Sequence, residues 1–227
     1  MTCETIRRPT RTSDDPSLTE PRSNLEHSLA IPLETQRLLF LDARSALQFS
    51  PEPVPVDVIR DVYDLVRWAP TGFNTVPMRL VVAESEDART RAIAHASAGN
   101  KPKLERAPLI LVAARDPGYH AFAEQLVPGE AGRRERERLE SLVAHREKSS
   151  FMNGVLQMGY LIVGLRAAGL DVRPMAGFDK AGLDADLLAG TGWKSELVLA
   201  VGYPAEEGPG VDERWPRLSF EQAAKVL

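Results

Sequence analysis

The stretch WAPTGFNTVPMR, residues 68–79, encloses a glycine and an asparagine between two prolines, at the junction of an amphipathic segment and an apolar run. A loop of this composition either turns the chain or offers backbone and side-chain hydrogen bonds to something bound against it. Elsewhere the usual catalytic groupings are missing. His27, His95, His120 and His145 stand apart, none in a HExxH or comparable ligand pattern, and read as surface or packing histidines. No GxSxG elbow, GxxxxGK[ST] loop or post-strand GxGxxG occurs, so hydrolase, P-loop and Rossmann chemistries lack their residues. Asp171, Asp179, Asp184 and Asp186 fit no calcium loop and read mainly as caps and turns. No metal site is expected. Cys3 is the only cysteine, which excludes an internal disulfide and suits a reducing compartment.

The elements that must position any site follow from patterning. With 43% apolar residues in 227, the chain can bury a sizeable core. A net charge of -4 argues against a nucleic-acid partner. The N-terminal residues lack the apolar core of a secretory signal, and the longest apolar runs are too short for a bilayer, so the expected location is the cytoplasm, with no membrane partner. Residues 1–24, rich in Ser, Thr, Pro, Arg and Asp, read as a flexible tail, and residues 25–227 as one folded domain.

Leu38, Leu39, Leu41 and Leu47 recur at helical spacing, and Ile59, Val62, Leu65 and Val66 form one apolar helical face opened near Pro55 and ended by Pro70. Residues 78–84, 107–115 and 195–204 read as strands. Helices are expected over 87–98, 130–148 and 151–169. The last is apolar nearly all round, which predicts burial in the protein's centre or in an oligomer interface. Few strands among many helices, without regular βαβ alternation, predict an α+β fold.

Three stretches, DARSALQF (42–49), WAPTGFNTVPMR and GLDVRPMAGFD (169–179), together resemble the FMN-dependent nitroreductase family. Its members carry an early Arg-Ser, an Ala-Pro-(Ser/Thr)-x-x-Asn-x-x-Pro loop and a Pro-x-x-Gly-Phe-Asp turn. The similarity runs from about Phe40 to Leu227, and KSELVLAVGYP with WPRLSFEQAAKVL looks most like the malonic semialdehyde reductase branch. The resemblance implies a nitroreductase-like α+β fold with a central, mostly antiparallel sheet flanked by helices, in an intertwined homodimer with shared active sites.

It also implies FMN and NAD(P)H as cofactors. Hydride passes through flavin N5 to a small-molecule acceptor (nitro, quinone, enone or semialdehyde) by a ping-pong cycle that needs no essential acid or base from the protein. Arg44 and Ser45, with Arg217, meet the flavin phosphate. Pro70, Thr71, Gly72 and Asn74 approach from the other protomer, Asn100 matches a pyrimidine-edge asparagine, and the Ala176–Gly177 amide faces N5. Asp179 caps the following helix. Gly177 lets backbone approach a planar ring, although a plain turn would also account for Gly177 and Asp179.

Departures from the pattern point to altered chemistry. Leu47 stands where the family carries a basic residue toward N1, and Lys101 or Lys194 is the nearby donor available to replace it. Phe73 replaces a small residue and narrows the substrate space over the ring, while Val76 and Met78 replace a common glutamine and a common aromatic. The alternative reading is a flavin-binding or flavin-less module of the same fold that stores, senses or binds a partner.

Overall fold

The computed structural model describes residues 29–205 and 214–227, so the expected tail at 1–24 lies outside the described residues. Helix α1 (Leu33–Gln36) runs into a π-helical turn, Arg37–Leu41, and stops. Residues 45–49 are not helical, contrary to the leucine spacing: Ser45 bridges to Val172 in parallel and Phe49 to Pro204 in antiparallel sense. Backbone pairing with a distant segment has overridden the local pattern.

Pro55, with φ of -62°, precedes α2 (Val56–Val66), which buries Ile59, Val62 and Val66 while Leu65 stays in solvent. Strand β1 (Met78–Ala83) follows, then α3 (Glu86–Ala94), shorter than expected, whose Ser85 cap accepts from the Ala88 N–H. Next come α4 (Lys101–Glu105), β2 (Leu109–Arg115) and a 3-10 turn, Tyr119–Phe122, leading into α5 (Ala123–Leu126).

The expected helix over 130–148 is two, α6 (Glu130–Glu140) and the start of α7 (Val143–Ala167). Arg146 accounts for the break. Its Nη1 donates to the Leu139 and Glu140 carbonyls at 2.8 and 2.6 Å, satisfying the last groups of α6 from outside that helix. The chain ends with β3 (Asp171–Met175), α8 (Lys180–Leu187), β4 (Lys194–Gly202) and α9 (Phe220–Ala223).

The four strands form one sheet in the order β1-β2-β4-β3, every pair antiparallel. Strand β3 was not expected. It is short and contains Pro174, which the sheet tolerates because β3 is an edge strand whose outer side is paired, among the described residues, only near Val172. Alternation builds two cores. Leu109, Leu111 and Ala113 point with Leu199 and Val201 toward α2 and α7, while Ile110, Val112 and Ala114 point with Val198 and Ala200 toward α3, α4 and α8.

Helix α7 buries Met158, Leu161 and Leu165 against the sheet but leaves Phe151, Met152, Val155, Leu156 and Tyr160 in solvent. Burial on all sides is thus met on only one side within the protomer. Where α7 crosses α2, Gly164 has no room for a side chain: an added Cβ would lie 2.3 Å from Val66 Cγ1 and 3.2 Å from Val62 Cγ1. Both obstacles are β-branched and stiff. Overpacking of this kind costs about 1–3 kcal/mol, against a helix-propensity gain of about 1 kcal/mol for glycine to alanine. Gly164→Ala should therefore lower the urea midpoint of unfolding, and an unchanged or raised midpoint would show that the two helices separate freely.

Candidate functional site

Edge strand β3 organises the residues singled out by the sequence. Beside its first half lies the 44–46 segment, held by the Ser45–Val172 bridge and by Arg173 Nε donating to the Ala46 carbonyl. Arg44 thereby comes within electrostatic reach of Arg214 and Arg217 in the C-terminal segment. Arg44 is half-buried, with Nη1 donating to the Leu41 and Ala43 carbonyls at 2.9 and 3.0 Å. Burial first, then the positive charge of Arg214, lowers its pKa; Asp42 acts in the opposite direction and Arg217 in the same one.

Arg214 is the residue that sequence reasoning missed. Its Nε and Nη2 are buried with no hydrogen-bond partner. Arg217 is exposed, its Nη1 on the Trp215 and Pro216 carbonyls at 2.8 and 3.1 Å. Three guanidinium groups thus act electrostatically on one another, and two nitrogens of Arg214 are left as unmatched donors, the chemistry an anion would answer. The available signal was a second arginine three positions before Arg217, on the other side of Trp215-Pro216.

The far end of β3 delivers the turn 174–179. Ala176 and Gly177 are exposed, and the chain there is zipped to residues 95–100, 77 or more positions away. Ser97 N–H donates to the Gly177 carbonyl at 3.0 Å, Asn100 Nδ2 to the same carbonyl at 3.0 Å, and Asp179 N–H to the His95 carbonyl at 2.8 Å. Asp179 caps α8 as the sequence predicts, accepting from the Gly182 N–H at 3.1 Å. Ser45 and Gly177 flank positions five residues apart along the strand direction, roughly 16 Å at the usual strand rise.

The loop 70–77 sits against α7 and α5. Gly72 N–H donates to Asn153 Oδ1 at 2.7 Å, and Asn74 Nδ2 to the Leu126 carbonyl at 2.8 Å. Thr71 Oγ1 accepts from the Val76 N–H at 3.2 Å, and Pro70 is exposed at the loop's start. Phe73, Asn74 and Val76 all have positive φ, 54°, 53° and 41°. For Val76 in particular this is a strained backbone. Arg79, also missed from sequence, braces it: Nη1 takes the Val76 carbonyl at 2.9 Å while Nη2 pairs with Asp116 at 2.8 Å.

This geometry constrains one sequence expectation. Lys194 begins β4 opposite Arg115, whereas the Leu47 segment lies by Tyr203 and Pro204 at the strand's other end. Eight strand residues, roughly 26 Å, separate Lys194 from Gly202, so within one protomer Lys194 does not replace the missing base at Leu47. Lys101 opens α4 next to Asn100. Phe73 projects into solvent from the loop.

Residues 42–203 match the model of the nitroreductase family. The chain belongs to that family. A Streptomyces coelicolor nitroreductase relative, named for NADH dehydrogenase/NAD(P)H nitroreductase activity, is 40% identical over 193 residues, covering 85% of this chain and 94% of its own. Among solved structures, an Exiguobacterium sibiricum nitroreductase in complex with FMN superimposes with a TM-score of 0.73 at 17% identity, covering 85% of this chain and 97% of that one. A Staphylococcus epidermidis protein described as an NAD(P)H:FMN oxidoreductase gives 0.71 at 18% identity, over 88% and 98%. These two establish the nitroreductase fold here. The malonic semialdehyde reductase branch is not confirmed by the comparisons.

Behind the turn of this nitroreductase, Asp186 ties α3 to α8 by hydrogen bonds from Arg91 and, at 2.9 Å, His95. The Arg91 bond first, then the His95 bond, hold its carboxyl below the ordinary 3.8. A depressed folded pKa stabilises fully above the unfolded value, and that stabilisation is lost as pH falls through the folded one. Melting temperature should accordingly drop below about pH 4. In Asp186→Asn that part of the acid slope should vanish, and an unchanged slope would remove Asp186 from the account.

Proposed function

We propose that this chain is an FMN-dependent NAD(P)H oxidoreductase acting as a homodimer. The observation that carries the reading is the pair of buried, unpartnered Arg214 nitrogens, Nε and Nη2, within electrostatic reach of Arg44, which lies beside the first half of β3 and also feels Arg217. At the other end Gly177 presents an exposed backbone N–H that has no intrachain acceptor among the described residues. A phosphate needs the first and the reactive edge of a flavin ring the second, so this donor set fits FMN. When bound, FMN supplies a ring that accepts hydride from NAD(P)H and returns it to a second substrate.

The protein's part is to bind, orient and shield. Arg44, Arg214 and Arg217 hold the phosphate, with the Ser45 hydroxyl beside them. The Ala176–Gly177 peptide donates toward N5, and Asn100 stands at its back. No side chain is required as an essential acid or base, because positioning and local electrostatics provide the rate. The acceptor is a small nitro, quinone, enone or semialdehyde compound, selected in part by Phe73.

A second copy completes the site. The exposed face of α7, with Phe151 at 51% and Met152 at 63% exposure, is continuous apolar surface at helical spacing and suits association with its like. Trp215, Leu218 and Phe220 add exposed apolar side chains on the C-terminal segment. In the dimer, Pro70, Thr71, Gly72 and Asn74 of one copy wall the flavin of the other, and their strained, hydrogen-bonded loop is preformed for that contact.

The direct test is an anaerobic titration of the FMN-loaded protein: NADH or NADPH should bleach the flavin and an added nitroaromatic or quinone restore it. A colourless protein indifferent to FMN would favour the flavin-less module, the reading that Leu47, half-buried and uncharged, otherwise supports. Arg214→Ala removes charge-assisted hydrogen bonds worth about 1.5–3 kcal/mol, so FMN affinity measured by calorimetry should fall roughly ten- to hundredfold. Leu156→Arg should yield monomers in analytical ultracentrifugation and weaken FMN binding with them; a dimer persisting in that variant would place the interface elsewhere.

A further inference from the structure

Val76 is the most strained residue of loop 72–78. A β-branched side chain disfavours its φ of 41°, and the residue before a proline is confined further, to extended backbone. Pro77 has a second effect. It carries no N–H, so the peptide plane between residues 76 and 77 can be held only through the Val76 carbonyl. That carbonyl has a single donor among the described residues: Arg79 Nη1 at 2.9 Å, which also donates to the Met78 carbonyl at 2.9 Å.

Arg79 is in turn held in place. Its Nη2 donates to Asp116 Oδ2 at 2.8 Å. Asp116 is buried; its Oδ1 accepts from the Gly118 N–H at 2.7 Å, and its own N–H donates to the Pro77 carbonyl at 2.9 Å. The carbonyls of residues 76, 77 and 78 are thus all anchored to one Arg79–Asp116 pair. The Arg79 guanidinium carbon also lies 5.1 Å from the centre of the Phe122 ring and 6.0 Å from that of Trp193. A planar guanidinium can serve carbonyls and a carboxylate at fixed angles while packing on rings, whereas a lysine ammonium has neither the fork nor the plane. Asn153 and Gln157 take the Gly72 and Met78 N–H groups at the loop's ends, but neither bonds to Val76.

We infer that Arg79 is a positioning residue for the electron acceptor: by holding Val76 in the left-handed region it fixes the shape of loop 72–78, and with it the placement of Phe73. The inference rests on the proposed function, in which this loop walls the flavin of the second copy. Phe73 and Asn74, at φ of 54° and 53°, precede Val76 in the same loop, so a Val76 relaxed to extended backbone redirects the chain around them. Strands β1 and β3 are opposite edges of the sheet, which leaves the arginine cluster beside β3 outside the reach of this change. Arg79 acts through the loop and touches neither flavin nor acceptor. Its loss removes binding of the acceptor more than it alters the reacting atoms, so the effect falls on KM before kcat.

The test uses full-length, FMN-loaded protein with NADH or NADPH as reductant and 2-methyl-1,4-naphthoquinone as acceptor. Wild type is compared with Arg79→Ala and with Arg79→Lys, which keeps a cation for Asp116 should the alanine variant fail to fold, each with and without Val76→Gly. Glycine adopts positive φ freely, so it keeps the loop's shape accessible without the clamp. In both single variants KM for the quinone should rise roughly ten- to hundredfold, as expected for a wall displaced by about 1 Å. The change in kcat should stay below about threefold, and FMN affinity, dominated by the phosphate, within about threefold. Adding Val76→Gly should restore most of the lost KM. An unchanged KM in the Arg79 variants would overturn the inference, as would a loss that Val76→Gly does not relieve, which would make the action of Arg79 direct. Wild type that takes up no FMN would instead refute the proposed function. Amide hydrogen exchange over residues 72–78 of the FMN-free protein then decides the clamp alone: it should be faster by about tenfold or more in Arg79→Lys, and equal exchange would refute the clamp.

Discussion

An edge strand carries one row of unpaired backbone groups, and the disposition of this protein's functional residues follows from what happens along that row on β3. Residues 44–46 pair against its first half, which draws Arg44 out of the helical path suggested by its neighbours and sets it beside Arg214 and Arg217. The strand's last residue leads directly into the turn that exposes Gly177. One short, rigid strand thereby holds a cationic cluster and a backbone donor at a set separation. Burying Arg44 and bringing like charge beside it are both unfavourable, and its lowered pKa reflects burial first and the charge of Arg214 second. A bound anion relieves it, so ligand binding and local stability are linked.

A second layer of support comes from a polar row inside α7. Ser150, Asn153 and Gln157 are buried on the face that meets the sheet, where apolar residues would be the default. Each has a job that apolar atoms could not do. Ser150 Oγ accepts from Arg115 at 2.9 Å, Asn153 takes the Gly72 N–H, and Gln157 Oε1 takes the Met78 N–H at 3.0 Å. The loop between Gly72 and Met78 carries three non-glycine residues at positive φ, each costing on the order of 1–3 kcal/mol. It is pinned at both ends by this helix, which offsets the strain and keeps the loop in one shape. Such strain sits where a binding wall is proposed, the usual place for it.

Much of this was legible in the sequence. Strands β1, β2 and β4 announce themselves as apolar β-rich runs, α2 by its stripe of Ile59, Val62 and Val66, and the three motif stretches by their order. Two of those stretches do converge, Arg44-Ser45 and the Gly177 turn on opposite ends of β3. What stayed hidden depends on distant pairing. The bond from Asn100 to Gly177 spans 77 positions and leaves no local trace. Strand β3 was masked by Pro174 and by its own brevity, and the extended path of residues 45–49 by a leucine spacing that the sheet edge overrode. Nothing in the sequence marks Arg214; only the burial of its Nε and Nη2 without a partner distinguishes it. The exposed half of α7 shows the converse: sequence correctly marked it as apolar, but a single protomer covers only one side.

The central claim, that β3 carries a phosphate site at one end and the N5 donor at the other, is tested most directly by a crystal structure of the protein with FMN. The account predicts phosphate oxygens within about 2.7–3.2 Å of Arg44 and Arg214 and flavin N5 at a similar distance from the Gly177 nitrogen. A flavin phosphate lying away from both arginines, or a ring that leaves the Gly177 N–H facing solvent, would contradict it.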